Sequence, residues 1–158
     1  MRHTKSRHAA VGMGLGLLVA LAGVSGCEDE DDLPELNILS PNAGTTHDLG
    51  ESMRVRFSFE TDDFEIEQDC GAEVQCGMAF LNIDGGACNQ PGRDYNNVLL
   101  DADVGENRSM EALFDQCPVE SRIGAHSVTI SLRYLDGSQV IGEGGQPVAA
   151  TITINTTP

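Results

Sequence analysis

The chain has 158 residues, with 25 Asp and Glu against nine Lys and Arg, for a formal charge of −16. That excess of carboxylate repels polyanions, which excludes nucleic acid, and any anionic surface bound through the protein's own charge, as partners. The length suits one domain with a real core. There is no Trp, no internal repeat and no long amphipathic helix pattern.

The first residues carry Arg2, Lys5 and Arg7, and Ala9 to Val24 then runs without charge around Leu15, Leu17, Leu18, Val19 and Leu21. A basic tip, an apolar middle and small residues at the end form an export signal, set apart from the fold. The run is interrupted by Gly12, Gly14, Gly16 and Gly23, and it is short and weakly apolar for a permanent span, which needs about 20 apolar residues. Val24-Ser25-Gly26-Cys27 closes it and resembles the lipobox of bacterial lipoproteins. The resemblance implies cleavage before Cys27, diacylglycerol on its thiol, and acylation (palmitate among the acids used) of its new amine. Two or more acyl chains give stable anchoring, at about 0.8 kcal/mol per buried CH₂. It places the protein in a bacterial cell envelope, and Glu28 after the cysteine favours the outer membrane. Removing residues 1–26 takes away three cations and no carboxylate, so the remainder is still more acidic. Glu28-Asp29-Glu30-Asp31-Asp32 follows; like charges repel and extend, so 27–34 reads as an acidic tether ahead of a domain at 35–158.

Within that domain the periodicity is two. Leu36 to Leu39 reads as a first strand, followed by the turn-rich Ser40-Pro41-Asn42-Ala43-Gly44 and a turn-rich region around His47. Met53, Val55, Phe57 and Phe59 alternate with Arg54, Arg56, Ser58 and Glu60, the pattern of a half-buried strand. Met78 to Ile83 is apolar on both faces, as a central strand would be, and Asp84-Gly85-Gly86 ends it. Tyr95 to Leu100 and Met110 to Phe114 are further strands. His126, Val128, Ile130, Leu132 and Tyr134 alternate with polar residues before the Asp136-Gly137 turn. Gly142 to Pro147 reads as a loop or broken edge, and Val148, Ala150, Ile152 and Ile154 mark the last strand. About seven short strands divided by turn signals point to an all-β antiparallel sandwich.

Gly124-Ala125-His126-Ser127-Val128-Thr129-Ile130-Ser131-Leu132 with Asp136-Gly137, and Leu39-Ser40-Pro41-Asn42-Ala43-Gly44 at the start, resemble the last hairpin and first turn of bacterial immunoglobulin-like and fibronectin-III-like domains. The resemblance implies the architecture. It departs from antibody domains in lacking a core Trp and cysteines in the second and sixth strands.

Four cysteines remain beside Cys27: Cys70, Cys76, Cys88 and Cys117. In an oxidising compartment an even number suggests two disulfides, and spacing alone leaves three pairings open. With the seven strands running alternately up and down, Cys70 and Cys76 fall at one end and Cys88 and Cys117 at the other. Cys76 with Cys88 is disfavoured, because the strand between them spans roughly 20 Å at about 3.4 Å per residue. The expectation is therefore Cys70–Cys76 and Cys88–Cys117, contributing about 2.4 and 3.6 kcal/mol in the chain-entropy model. No C-x₂-C pair is present, which argues against zinc.

No nucleophile elbow, His-Glu-x-x-His pair or phosphate-binding glycine loop occurs, so no catalytic residue is assigned. His126 sits in phase with an apolar face, as a packed, hydrogen-bonded histidine would. Calcium is the one cofactor the acidic loops could take: Asp101 and Asp103 alternate before Gly105, Glu106 follows it, and Thr61 to Asp69 holds a second cluster. The first cluster departs from an EF-hand loop in its early glycine and missing final glutamate. Asp84 to Gly92 reads as a glycine-rich bend fixed by a disulfide. The leading expectation is a lipid-anchored envelope protein with a non-catalytic domain that binds an envelope protein or extracellular ligand. A structural assembly or spacer protein and a small hydrolase are the alternatives.

Overall fold

The computed structural model describes residues 33–67, 75–99 and 108–158. Among the described residues nine strands occur in order: β1 Glu35–Ser40, β2 Thr46–Asp48, β3 Arg54–Asp62, β4 Glu65–Ile66, β5 Cys76–Ile83, β6 Asn97–Leu99, β7 Arg108–Leu113, β8 Gly124–Tyr134 and β9 Ala149–Thr157. One sheet has the order β1-β3-β7-β6, and the other β2-β9-β8-β5-β4. The first matches A-B-E-D and the core of the second matches G-F-C, so the fold is an immunoglobulin-like β-sandwich.

The main ladders are antiparallel, as alternation in the sequence suggests. Two short pairings are parallel: β2 with β9 and β4 with β5. Both were beyond the periodic signal, because strands of three and two residues contain no full alternation. His47, expected in a turn, therefore lies in β2. Pro34, expected at the end of the tether, is already buried.

The core follows from the alternation. Val55, Phe57 and Phe59 of β3 are buried while Arg54 and Arg56 are exposed. With Met110 and Phe114 they meet Leu81, Ile83, Val128, Ile130, Leu132 and Ile154 from the other sheet. Each such side chain contributes about 1.5–3 kcal/mol on burial, as an upper bound. Gly44, with φ of 78°, lets the chain leave β1 for the second sheet, and its N–H donates to the Thr153 carbonyl at 2.6 Å.

One crossing is built from polar groups. Between β5 and β6 the chain passes from the second sheet to the first at Asn96 and Asn97, both buried. The Asn96 N–H donates to the Leu81 carbonyl at 2.8 Å, and the Leu81 N–H donates to Asn97 Oδ1 at 2.8 Å. The Asn96 carboxamide donates to the carbonyls of Cys88 and Leu113 and accepts from the Leu113 N–H at 2.6 Å. Buried backbone groups need partners, and these two side chains supply them where no strand can.

Asn96→Ala would orphan the Leu113 N–H and weaken two carbonyl contacts at once. A loss of at least about 2 kcal/mol is expected, read as a lower denaturation midpoint with unchanged slope. Gly77 is the second sensitive point. A Cβ there would stand 2.1 Å from the Arg133 carbonyl oxygen and 3.0 Å from the Phe64 ring. Both lie in paired, packed structure that cannot withdraw cheaply. Gly77→Ala is expected to cost about 3 kcal/mol or more, seen as a large drop in melting temperature.

Candidate functional site

β5 is where the sequence and the structure differ most usefully. Its two apolar faces suggest a strand covered on both sides. Ala79, Leu81 and Ile83 do face the core, but Met78 and Phe80 lie on the outer face and are half-buried. No layer covers that face among the described residues. What lies on it is the segment leading into the Asn96 crossing. Anchoring Asn96 inward turns Tyr95 outward, and its ring packs on Phe80 with centroids 4.9 Å apart at 54°.

Two arginines extend this pair. Arg93 lies over Tyr95, 5.1 Å from the ring centre, and Arg133 of β8 lies over Phe80 at 5.0 Å. Each such cation–π contact contributes about 0.5–1 kcal/mol at an exposed site. Arg133 also donates to the Asp94 carboxylate. That hydrogen bond lowers the Asp94 pKa; burial opposes it, and the charge of the guanidinium adds to the lowering. The result is a row of Arg93, Tyr95, Phe80 and Arg133 packed side by side on the outer face of β5 and β8. Aromatic residues, methionine and arginine are the types enriched at the centres of protein interfaces.

The histidines have other work. His126 is 3% exposed; its Nδ1 lies 2.8 Å from Asp84 Oδ2 and its Nε2 3.3 Å from the Arg122 carbonyl oxygen. Its ring packs edge-on against Phe114 at 4.9 Å, and Asp84 Oδ1 accepts from the Ser127 N–H at 2.9 Å. A ring enclosed in this way, facing a carbonyl rather than a hydroxyl, ties the turn after β5 to the start of β8. His47 Nε2 lies 2.9 Å from the Thr45 hydroxyl.

Cys88 and Cys117 are joined and buried at one end of the sandwich, the end where the strand order puts them. Cys76 is disulfide-bonded; its expected partner Cys70 lies outside the described residues. So do Cys27 and the calcium candidates Asp101, Asp103 and Glu106. Of the second acidic cluster, Thr61 to Glu67 is described: Asp62, Asp63, Glu65 and Glu67 are exposed, and Thr61 donates to the Phe64 carbonyl at 2.7 Å. Among the described residues, no group of three His, Cys, Asp or Glu side chains is placed to hold a metal ion. No helix among them is long and apolar enough to cross a membrane.

Sequence reading missed the outer row. Its signal was the interruption of strict alternation at Met78 and Phe80, with an Arg-Asp-Tyr-Asn-Asn stretch shortly after. No family model and no curated protein matches the chain. Among solved structures, it is similar to the BIgI domain of beta protein from S. agalactiae, determined bound to CEACAM1. The two share 12% identity with a TM-score of 0.36, over 78% of this chain and 96% of that one.

The Asp94 shift carries a sign. A carboxylate with a depressed folded-state pKa adds stability above the ordinary aspartate range and loses it as pH falls through the lowered value. Asp94 is exposed, so the contribution is below about 1 kcal/mol and screened by salt. Arg133→Gln is expected to return the Asp94 carboxyl to the ordinary aspartate range, as followed by NMR titration.

Proposed function

We propose that the chain is a lipid-anchored bacterial envelope protein whose sandwich is a non-catalytic interaction module. In this reading the lipid sits on Cys27, the acidic segment after it holds the domain away from the bilayer, and the outer membrane is the destination. The partner is a protein, either of the envelope or outside the cell, and it docks on the outer face of β5 and β8.

The observation that carries the reading is the Arg93, Tyr95, Phe80, Arg133 row. Half-buried aromatic rings on a strand face are costly to leave in water unless something covers them. Here they are fixed by stacking, so little side-chain entropy remains to be lost on docking. The face also gathers two arginines in a chain dominated by carboxylates, which gives it a local charge unlike its surroundings. The enclosed His126 and the absence of a nucleophile motif favour binding over catalysis.

A photo-crosslinking residue at Tyr95 is expected to capture one discrete protein in intact cells, while the same residue at Glu60, on the opposite sheet, captures none. Phe80→Ala is expected to weaken binding of the captured protein at least tenfold. Cys27→Ala should release the chain from the membrane fraction and abolish metabolic labelling with a fatty acid. Equal crosslinking from both faces would rule out the docking face, and unlabelled Cys27 would rule out the anchor.

A further inference from the structure

A second binding feature lies on the edge of the five-stranded sheet and uses backbone rather than side chains. β9 pairs with β8 from Ala149 to Thr156. On its other side it pairs with β2 only at Asn155 to Thr157, extended one step by the bond from Gly44 to Thr153. The reason is the route of the chain. It reaches β2 from the other sheet through Pro41 and Gly44, so β1 stays in the other layer near β9 and no strand among the described residues pairs with the first half of β9.

Alternation fixes which groups are exposed there. The N–H and C=O groups of residues 153 and 155 point toward β2, as their bonds to Gly44 and Thr45 show. Those of Ala149 and Thr151 point the same way and have no partner on that side among the described residues. Both residues are exposed. Beside them an open cleft of about 220 Å³ separates the start of β1 from the start of β9, with Leu36, Pro147 and Val148 among its lining residues. Glu35 and Glu143 stand on its rim, and no basic side chain lines it. This volume holds one or two side chains, not a whole segment.

We propose that this half-edge takes an extended segment of a basic partner protein as an added strand. Its backbone pairs with Ala149 and Thr151, as in recognition by strand addition. One apolar side chain enters the cleft, and Lys or Arg residues two positions away on either side meet Glu35 and Glu143. The charge selects the occupant: a second copy of this chain, at −16, is repelled, and an acidic segment would face both rim carboxylates. This site is separate from the aromatic face, and each stands or falls without the other.

The test is a random nonapeptide display library panned against the purified protein. Enriched peptides should carry a Val, Ile or Leu flanked at two-residue spacing by Lys or Arg. Binding the best of them should slow amide exchange of Ala149 and Thr151 at least tenfold. Ala149→Pro removes an outward N–H at a strand start, where proline is tolerated, and should weaken binding at least tenfold. Glu143→Gln should weaken it several-fold and flatten its salt dependence. The same peptide N-methylated at alternate residues should fail to bind in one of its two registers, which keeps the test valid if the proline variant does not fold. No enrichment, enriched peptides that leave both amides exchanging as before, or a dimer of the chain formed through this edge would each overturn the proposal.

Discussion

The structure turns on the two buried carboxamides at the crossing between the sheets. A chain leaving one layer for another must take backbone N–H and C=O groups through the core, where each unpaired group costs roughly 1–3 kcal/mol. Asn96 and Asn97 imitate a strand at that point, bonding to Leu81 on one side and Leu113 on the other. Everything nearby depends on this. β6 can begin at Asn97 only because Asn96 is anchored, and the carbonyl of disulfide-bonded Cys88 is held by the same carboxamide. The preceding residues, Arg93 to Tyr95, are then obliged to lie on the outer face of β5. The candidate docking row is thus a by-product of satisfying buried amides.

Charge is distributed by the same logic. All basic residues of the domain are arginines, and a planar guanidinium can stack and make directed hydrogen bonds at once. Arg122 donates to the carbonyls of Cys117 and Asp115, closing the turn after the disulfide. Arg54 bridges β3 and β7 through Glu111 at 2.8 Å. Arg93 and Arg133 lie on rings. Cations are therefore spent on fixing geometry, while the abundant carboxylates keep the rest of the surface solvated and repel like molecules.

Much of the sandwich was legible because β3, β8 and β9 alternate cleanly, and alternation is a direct image of one buried face. The pairing of Cys88 with Cys117 followed from strand order, since only same-end cysteines can approach. Three features were not legible. β2 and β4 are too short to display a period. Asn96 and Asn97 read as ordinary residues of a strand from Tyr95 to Leu100, because a carboxamide's value as a substitute strand partner depends on where distant carbonyls fall. The outer row was hidden by an ambiguity: apolar residues on both faces of Met78 to Ile83 describe a doubly covered strand and a strand with a sticky outer face equally well. Resolving it needs the neighbour list of β5, which is a tertiary fact.

Unprotected strand edges invite pairing, and natural sheets blunt them with short strands, bends or charge. Each edge of the five-stranded sheet shows a different remedy. At the β5 side, two-residue β4 occupies only the start of the edge, opposite Cys76 and Gly77. At the β9 side, β2 covers the C-terminal half, and the remainder is left to electrostatics through Glu35 and Glu143. A blocking strand refuses every partner alike, because it consumes the hydrogen-bonding groups. Carboxylates beside an open edge refuse only by charge, and their refusal of another acidic chain is the same interaction as their attraction for a basic one. An edge guarded in this way disfavours pairing with another acidic chain and favours a basic strand, so the charge that guards the edge also defines what it can accept.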